Sequence, residues 1–317
     1  STGNFMPSPR KLHWNTIIRW VGTVLSLAIM VYLIYKAGAQ ETWATVKEIS
    51  AGRLVLAVVL VFISRLATFA RWHTLLQVEE MRVSWKESLK LTFAGLFASN
   101  VLPTTIGGDV ARLAGAVRLG ISASLAAASL MADRLIGMAG MTLPLPFAVG
   151  PVAGYLQARG AATPSLQGII LTGFLGKTWE KVRRAINKVF SDFKFWFRHP
   201  KVLAEALGFT LIHQLAIYLI ITTLVEGMGE HIAFTKIAGI WSLTYFITLI
   251  PISINGLGLQ EVTITNLFSV LGGLQTTTTL SLAIILRVLW LIGSLPGAFV
   301  LSDVIVGREP KTPAGGA

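Results

Sequence analysis

The sequence predicts an all-α polytopic membrane protein, with about six to eight transmembrane helices and two re-entrant helical hairpins arranged as an inverted repeat. Three observations carry that expectation. The 317 residues are 53% hydrophobic and only 13% charged, with a mean hydropathy of +0.67, so several runs are long enough to cross a bilayer core. Two apolar regions are broken alike: Ser99–Arg112 (SNVLPTTIGGDVAR) holds Pro103, Gly107, Gly108 and Asp109, and Pro251–Glu261 (PISINGLGLQE) holds Pro251, Gly256, Gly258 and Glu261. An arginine follows each acid at nearly the same distance, 25 residues from Asp109 to Arg134 and 26 from Glu261 to Arg287.

Composition narrows the function. A net charge of +12 would suggest nucleic acid in a soluble chain. Here it marks cytoplasmic loops and anionic lipid, so phospholipids are the expected partners and nucleic acid is not. The absence of cysteine removes disulfides, thiolate metal sites and a cysteine nucleophile. Five histidines form no H-E-x-x-H pattern, and neither a metal nor a cofactor is expected.

Along the chain, residues 1–15 read as a disordered tag or polar tail. Residues 16–37 follow Arg10 and Lys11 and read as a retained signal-anchor helix with its N-terminus in the cytoplasm. Residues 40–52 are polar and external. A second span, 53–76, contains Arg65 and ends at Arg71, Trp72 and His73, and an amphipathic cytoplasmic piece follows through Trp85 and Lys90. The run 91–102 is too short to cross, and after the break a second short helix, 109–119, returns to the same face as a re-entrant hairpin. A full span at 121–149 carries Asp133 and Arg134, and 150–164 reads as a Gly/Pro-rich external loop. Residues 165–177 are apolar but short. Across 177–201 eight Lys or Arg face two acids, with Trp179, Val182, Ile186, Phe190, Phe193 and Phe197 at helical spacing, which predicts a basic amphipathic helix on the inner leaflet. A span at 202–226, a hairpin with arms 237–250 and 262–272, a last span 277–302 bearing Arg287, and a cytoplasmic tail 306–317 complete the single membrane domain at 16–305.

The half-repeats are 53–149 and 202–302, equal in order and opposite in direction, which is a transporter architecture with its site where the hairpins meet. Of the 27 Lys and Arg, only Lys36, Lys47, Arg53, Arg159 and Lys236 fall outside, while Arg65, Arg112, Arg118, Arg134 and Arg287 fall in spans or hairpins. The remaining seventeen are cytoplasmic, which places both termini inside.

Each break residue has a structural and a functional reading. Pro103 and Pro251 stop a helix, and Gly107 and Gly108 permit backbone angles that other residues avoid. Asp109 suits an N-cap, but a carboxylate at membrane depth costs about 2.5–3.5 kcal/mol, so serine would cap more cheaply. Glu261 caps poorly and reads as a substrate or proton group. Arg112, Arg134 and Arg287 form ion pairs with Asp133, Asp109 or Glu261, or offer forked donors to phosphate beside half-helix N-termini. Arg65 can snorkel, Arg71 lies at the interface, His213 with Gln214 lines a polar path or bonds between helices, and most of the nine Trp anchor the interfaces.

Together Arg71-Trp72, NVLP…GGDVAR, Asp133-Arg134 and the late P…GLG…E resemble the lysylphosphatidylglycerol synthase transmembrane family, also called flippase-like. The resemblance covers nearly all of 16–305. It implies translocation of lipids or lipid-linked head groups, with the family's functional acids and arginines falling on Asp109, Arg112, Arg134, Glu261 and Arg287. The expectation is a stand-alone member without a soluble aminoacyltransferase or glycosyltransferase domain, so the fused relatives do not supply the substrate.

The leading expectation is therefore a non-enzymatic flippase of the cytoplasmic membrane. Asp109, Arg112, Arg134, Glu261, Arg287 and Arg65 line its pocket, the arginines hold phosphate, and the acids attract a cationic head-group moiety or carry a coupling proton. A homo-oligomer is compatible with this reading. The alternatives are an ion-coupled secondary transporter of a small anion, an intramembrane lipid-phosphate transferase, for which no nucleophile or metal cluster is visible, and a non-transporting partner of a membrane enzyme.

Overall fold

The computed structural model describes residues 39–78, 82–101, 107–158, 198–249 and 258–306, with Ala28, Val31, Tyr32 and Tyr35. The span expected at 16–37 apart from those four positions, the stretch 165–177, the amphipathic helix 177–201 before Arg198, Pro103, Pro251, Gly256 and both tails lie outside these residues.

Among the described residues every regular element is a helix. α1 (Ala39–Lys47) occupies a stretch expected only to be polar and external. It leads into α2 (Ala51–Leu75), where Ala57, Leu60, Val61, Ser64, Ala67, Arg71, Trp72 and Leu75 recur at helical spacing and are buried. The opposite face of α2 exposes Val55, Leu56, Val59, Ile63 and Leu66. A helix that is apolar all round has lipid on its outer side. α7 (Pro200–Gly227) is built likewise, burying Ile217, Ile220, Ile221, Leu224 and Val225 while exposing Leu211, Ile212, Leu215 and Leu219. The buried faces of α2 and α7 pack along their length and form the centre of the larger apolar core.

Between them come α3 (Trp85–Val101) and α4 (Gly107–Arg118), which pack together, then α5 (Ala123–Thr142), a 3-10 turn (Leu145–Ala148) and α6 (Val149–Ala158). The expected amphipathic piece and first hairpin arm are thus one continuous helix, because nothing between Trp85 and Val101 breaks it. Pro144 and Pro146 divide the span expected at 121–149, and the axis turns by 44°. The expected loop over 150–158 is instead helix α6.

After α7 come α8 (Phe234–Thr248) and α9 (Leu259–Val270), again packed together, then α10 (Thr276–Ser294), a 3-10 turn at Leu295–Gly297 and α11 (Ala298–Val306). The order long helix, paired short helices, long helix, proline-bearing 3-10 turn and short helix therefore occurs twice. Among the described residues three helical segments, Ala51–Leu75, Pro200–Gly227 and Thr276–Leu301, are long and apolar enough to cross a bilayer, and Ala123–Ala158 makes a fourth if its bent halves form one span.

The halves clasp each other reciprocally. The 3-10 turn of the second half lies on α3 of the first, where a methyl at Gly297 would collide with the Phe93 carbonyl. The 3-10 turn of the first half lies on α8 of the second, where a methyl at Gly239 would collide with the Phe147–Ala148 backbone. Glycine is required at both crossings by close approach of backbone to backbone, and φ at neither is positive. Asn100 Nδ2 donates to Ser294 Oγ at 2.9 Å beside the first contact.

Candidate functional site

The hairpin of α3 and α4 closes on glycine. At Gly108 a methyl would collide with Ser99 Oγ and the Gly95 carbonyl, so the helices touch backbone to backbone there. Gly107 and Gly108 are both helical with φ outside the left-handed region, so the expected permissive backbone angle is not their role. Gly258 does have φ +74° at the N-cap of α9, a conformation that favours glycine. Asp109 stands in the first turn of α4 and Glu261 in the first turn of α9, so neither acid is itself the cap. A carboxylate in a first helical turn is stabilised by the exposed N–H groups and the positive end of the helix dipole.

From these positions the acids meet the arginines that the equal spacing picks out. Arg134 of α5 reaches Asp109 of α4, with Nε donating to Oδ2 at 2.5 Å. Arg287 of α10 donates its Nε proton to Glu261 Oε1 of α9. The two pairs differ in access: the Arg134 side chain is 49% exposed, whereas the Glu261 side chain is 5% exposed.

A third carboxylate joins them. Asp133 is buried in α5, where Arg71 Nε donates to its Oδ1 at 2.6 Å and both terminal nitrogens of Arg112 donate to its Oδ2 at 3.2 Å. Arg112 Nη1 is also 3.6 Å from Asp109 Oδ1. Charges consequently alternate in a chain, Arg71, Asp133, Arg112, Asp109, Arg134, running from the interior to the accessible edge. Arg112 lies 4.0 Å over the Trp72 ring, a distance that suits cation–π attraction, and the Trp72 indole donates to Ser129 Oγ at 3.2 Å. Arg71 Nη1 donates to Thr210 Oγ1 of α7 at 3.4 Å.

Glycines make room for these guanidinium groups. The Arg112 stem crosses Gly95, Arg71 Nη1 would lie 3.2 Å from a methyl at Gly137, and Arg65 Nε would lie 3.2 Å from one at Gly293. Arg65 is stacked on Trp290 at 4.9 Å, with its Nε buried and unpartnered. It does not snorkel, because Gly293 and Trp290 hold it against α10. His213 Nδ1 bonds Ser64 Oγ at 2.8 Å between α7 and α2, the interhelical role expected of a lone histidine. It lies within electrostatic reach of Arg65, Arg71 and Asp133.

All six expected site residues fall in these contacts, but they form two groups. Asp109, Arg112 and Arg134 belong to the chain of five charges, whereas Glu261 with Arg287, and Arg65 through Trp290, surround α10. Tyr245 of α8 reaches across from the second half, within electrostatic range of Arg71, Arg134 and Asp133. Sequence reasoning left Arg71 at the interface and treated Asp133 only as a partner for other arginines. Both lie at the centre of the cluster, because α2 packs on α5 deeply enough to bury their pair. Trp72 and Trp241 are buried in the protein, not placed at a membrane interface. No group of three potential metal ligands occurs among the described residues. Among the described residues the first group sets three arginines against two carboxylates and the second two against one, an excess of guanidinium in each that suits an anion.

A family model described as the lysylphosphatidylglycerol synthase TM region matches residues 19–297. A UPF0104 membrane protein of Archaeoglobus fulgidus is 23% identical over 126 residues, covering 40% of this chain and 38% of that protein. The match therefore spans less than half of that relative's length.

Proposed function

Because the chain belongs to the lysylphosphatidylglycerol synthase transmembrane family, we propose that it moves a phospholipid or lipid-linked head group between leaflets of the cytoplasmic membrane. The carrying observation is the guanidinium excess, open at Arg134 and enclosed by helices whose outer faces suit lipid tails. Guanidinium offers forked donors that match phosphate oxygens, and the first turns of α4 and α9 add backbone N–H groups. A phosphate arriving at Arg134 and Arg112 competes with Asp109 for the same donors, so the ion pair opens as the head group enters. The tails stay in lipid beside the exposed faces of α2 and α7. This is transport without covalent chemistry.

The helix pairs α3/α4 and α8/α9 act as re-entrant hairpins, dipping from opposite faces in two inverted halves. The reciprocal clasp at Gly239 and Gly297 supports this, since each half grips the other through the same element. Orientation follows charge. Lys90 and Arg118 lie at the end where Arg118 Nη1 donates to the Val304 carbonyl, and Arg82 and Lys201 adjoin Val83 and Val202 of the same apolar cluster, whereas Arg53 lies against Gly227 and Lys236 adjoins Ile237 at the end where Glu230 accepts from the Gln275 N–H. The more basic end faces the cytoplasm.

The test is translocation of head-group-labelled phospholipid in liposomes holding the purified protein. The parent accelerates exchange between leaflets, and Arg134→Gln slows it. Parent protein no faster than empty liposomes, or Arg134→Gln as fast as the parent, would remove the proposal.

A further inference from the structure

A second recess lies apart from the arginine chain, at the basic end of the helices. A cavity of about 330 Å³ opens between α3, α4 and α11, which pack against one another there. Its floor is apolar. Leu91 and Val304 are buried and close over Gly115, where a methyl would fall 2.1 Å from Leu91 Cδ2 and 3.1 Å from Val304 Cγ1. The rim carries Glu87, Lys90 and Arg118. Arg118 Nη1 donates to the Val304 carbonyl at 2.7 Å, which pins the end of α4 to α11 and fixes the guanidinium group. Its other N–H groups have no partner among the described residues. Lys90 Nζ donates to Glu87 Oε1 at 3.2 Å, an exposed pair of the kind that exchanges partners cheaply.

The recess stands at the level of a membrane surface. Trp85 is exposed at the start of α3 with Lys86 Nζ 5.7 Å over its ring, an aromatic anchor beside a basic residue. On the lipid side, Leu119 and Phe299 are exposed, the latter by 84%.

We propose that this recess binds one anionic phospholipid of the inner leaflet, with its phosphodiester between Arg118 and Lys90 and its chains over Leu119, Val300 and Phe299. The charges match. Two cations and one carboxylate leave a single positive charge, and a phosphodiester with an uncharged polyol head carries a single negative one. Guanidinium presents paired donors to phosphate oxygens, and basic pockets between helices on the cytoplasmic side suit such head groups. A free phosphate would use the rim alone and leave the apolar floor and wall uncovered. Arg118 lies six residues beyond Arg112, about 9 Å along α4, so this lipid is distinct from the one that the arginine chain would carry. The inference stands apart from the translocation reading, and only its choice of leaflet rests on the orientation given there.

Native mass spectrometry of the full-length protein, titrated with phosphatidylglycerol in a neutral detergent, tests this. The titration uses Arg134→Gln, so that a lipid held by the arginine chain does not add to the count. That variant is expected to retain one phosphatidylglycerol. Adding Lys90→Gln or Arg118→Gln weakens retention about fivefold, whereas adding Glu87→Gln, which removes the opposing charge, strengthens it. Lys90 is half-exposed, so its replacement keeps the fold and decides the matter where Arg118→Gln does not fold. No lipid retained by Arg134→Gln, or retention that Lys90→Gln leaves unchanged, overturns the proposal. Inorganic phosphate is expected not to displace the lipid, and displacement by it would show a soluble-anion site and overturn the lipid assignment. A parent protein that fails to translocate lipid would remove the flippase reading and leave this result untouched.

Discussion

Replacing Asp133 by asparagine removes one charge from the most enclosed ion cluster and hardly changes shape. Asp133 neutralises both Arg71 and Arg112, at 2.6 and 3.2 Å, with its side chain 4% exposed. Breaking a buried pair by deleting one partner costs about 3–5 kcal/mol, because the surviving charge stays buried. Here two guanidinium groups survive. Arg112 retains Asp109 at 3.6 Å and the Trp72 ring, but Arg71 retains only the Thr210 hydroxyl among the described residues, so a loss of about 3–5 kcal/mol falls mainly on Arg71. The matching change Asp109→Asn strips a half-exposed arginine that water can solvate, and about 1 kcal/mol or less is expected. Both variants are compared with the parent by reversible unfolding in mixed micelles. Equal losses, or a larger loss for Asp109→Asn, would refute the claim that Asp133 is the structural anchor and Asp109 the exchangeable partner.

Arg112→Lys keeps the charge but loses the twin donors to Asp133 and the flat stack on Trp72, and should cost about 1–2 kcal/mol in the same unfolding assay, with Arg118→Lys near neutral. At the clasp, Gly239→Val and Gly297→Val each force apart two backbones and should each lose at least about 1–3 kcal/mol. Gly208→Ala, in α7 with open space around it, should instead gain about 0.5–1 kcal/mol from helix propensity. A tolerated valine at Gly297 would show that the halves do not grip each other there.

How far the sequence spoke can be judged residue by residue. The broken apolar runs and the matched spacings picked out Asp109–Arg134 and Glu261–Arg287, since each spacing links the first turn of a short helix to the middle of the next long one. Adjacent Asp133 and Arg134 were legible as charges but not as roles. Neighbours on a helix point about 100° apart, so Arg134 turns to the hairpin and Asp133 to α2, and only tertiary packing says which goes where. The same limit hid Arg71, which stands near a helix end in sequence yet lies in the core because α5 and α7 cover it. Gly95, Gly137 and Gly293 carried a usable signal: each lies in an apolar helix and each faces an arginine. Gly107 and Gly108 misled, because a glycine pair after a proline suggests a turn, whereas both are helical and at Gly108 close helix contact demands the same residue.

The account depends on lipid phosphate reaching the arginine cluster. A cryo-EM map of the protein in anionic lipid nanodiscs tests this most directly. Phosphate density against Arg112 and Arg134, with acyl density leading out to the lipid-facing side of the helices, is the predicted result. A cluster closed on its own carboxylates, with ordered lipid only on the outer apolar faces, would contradict it.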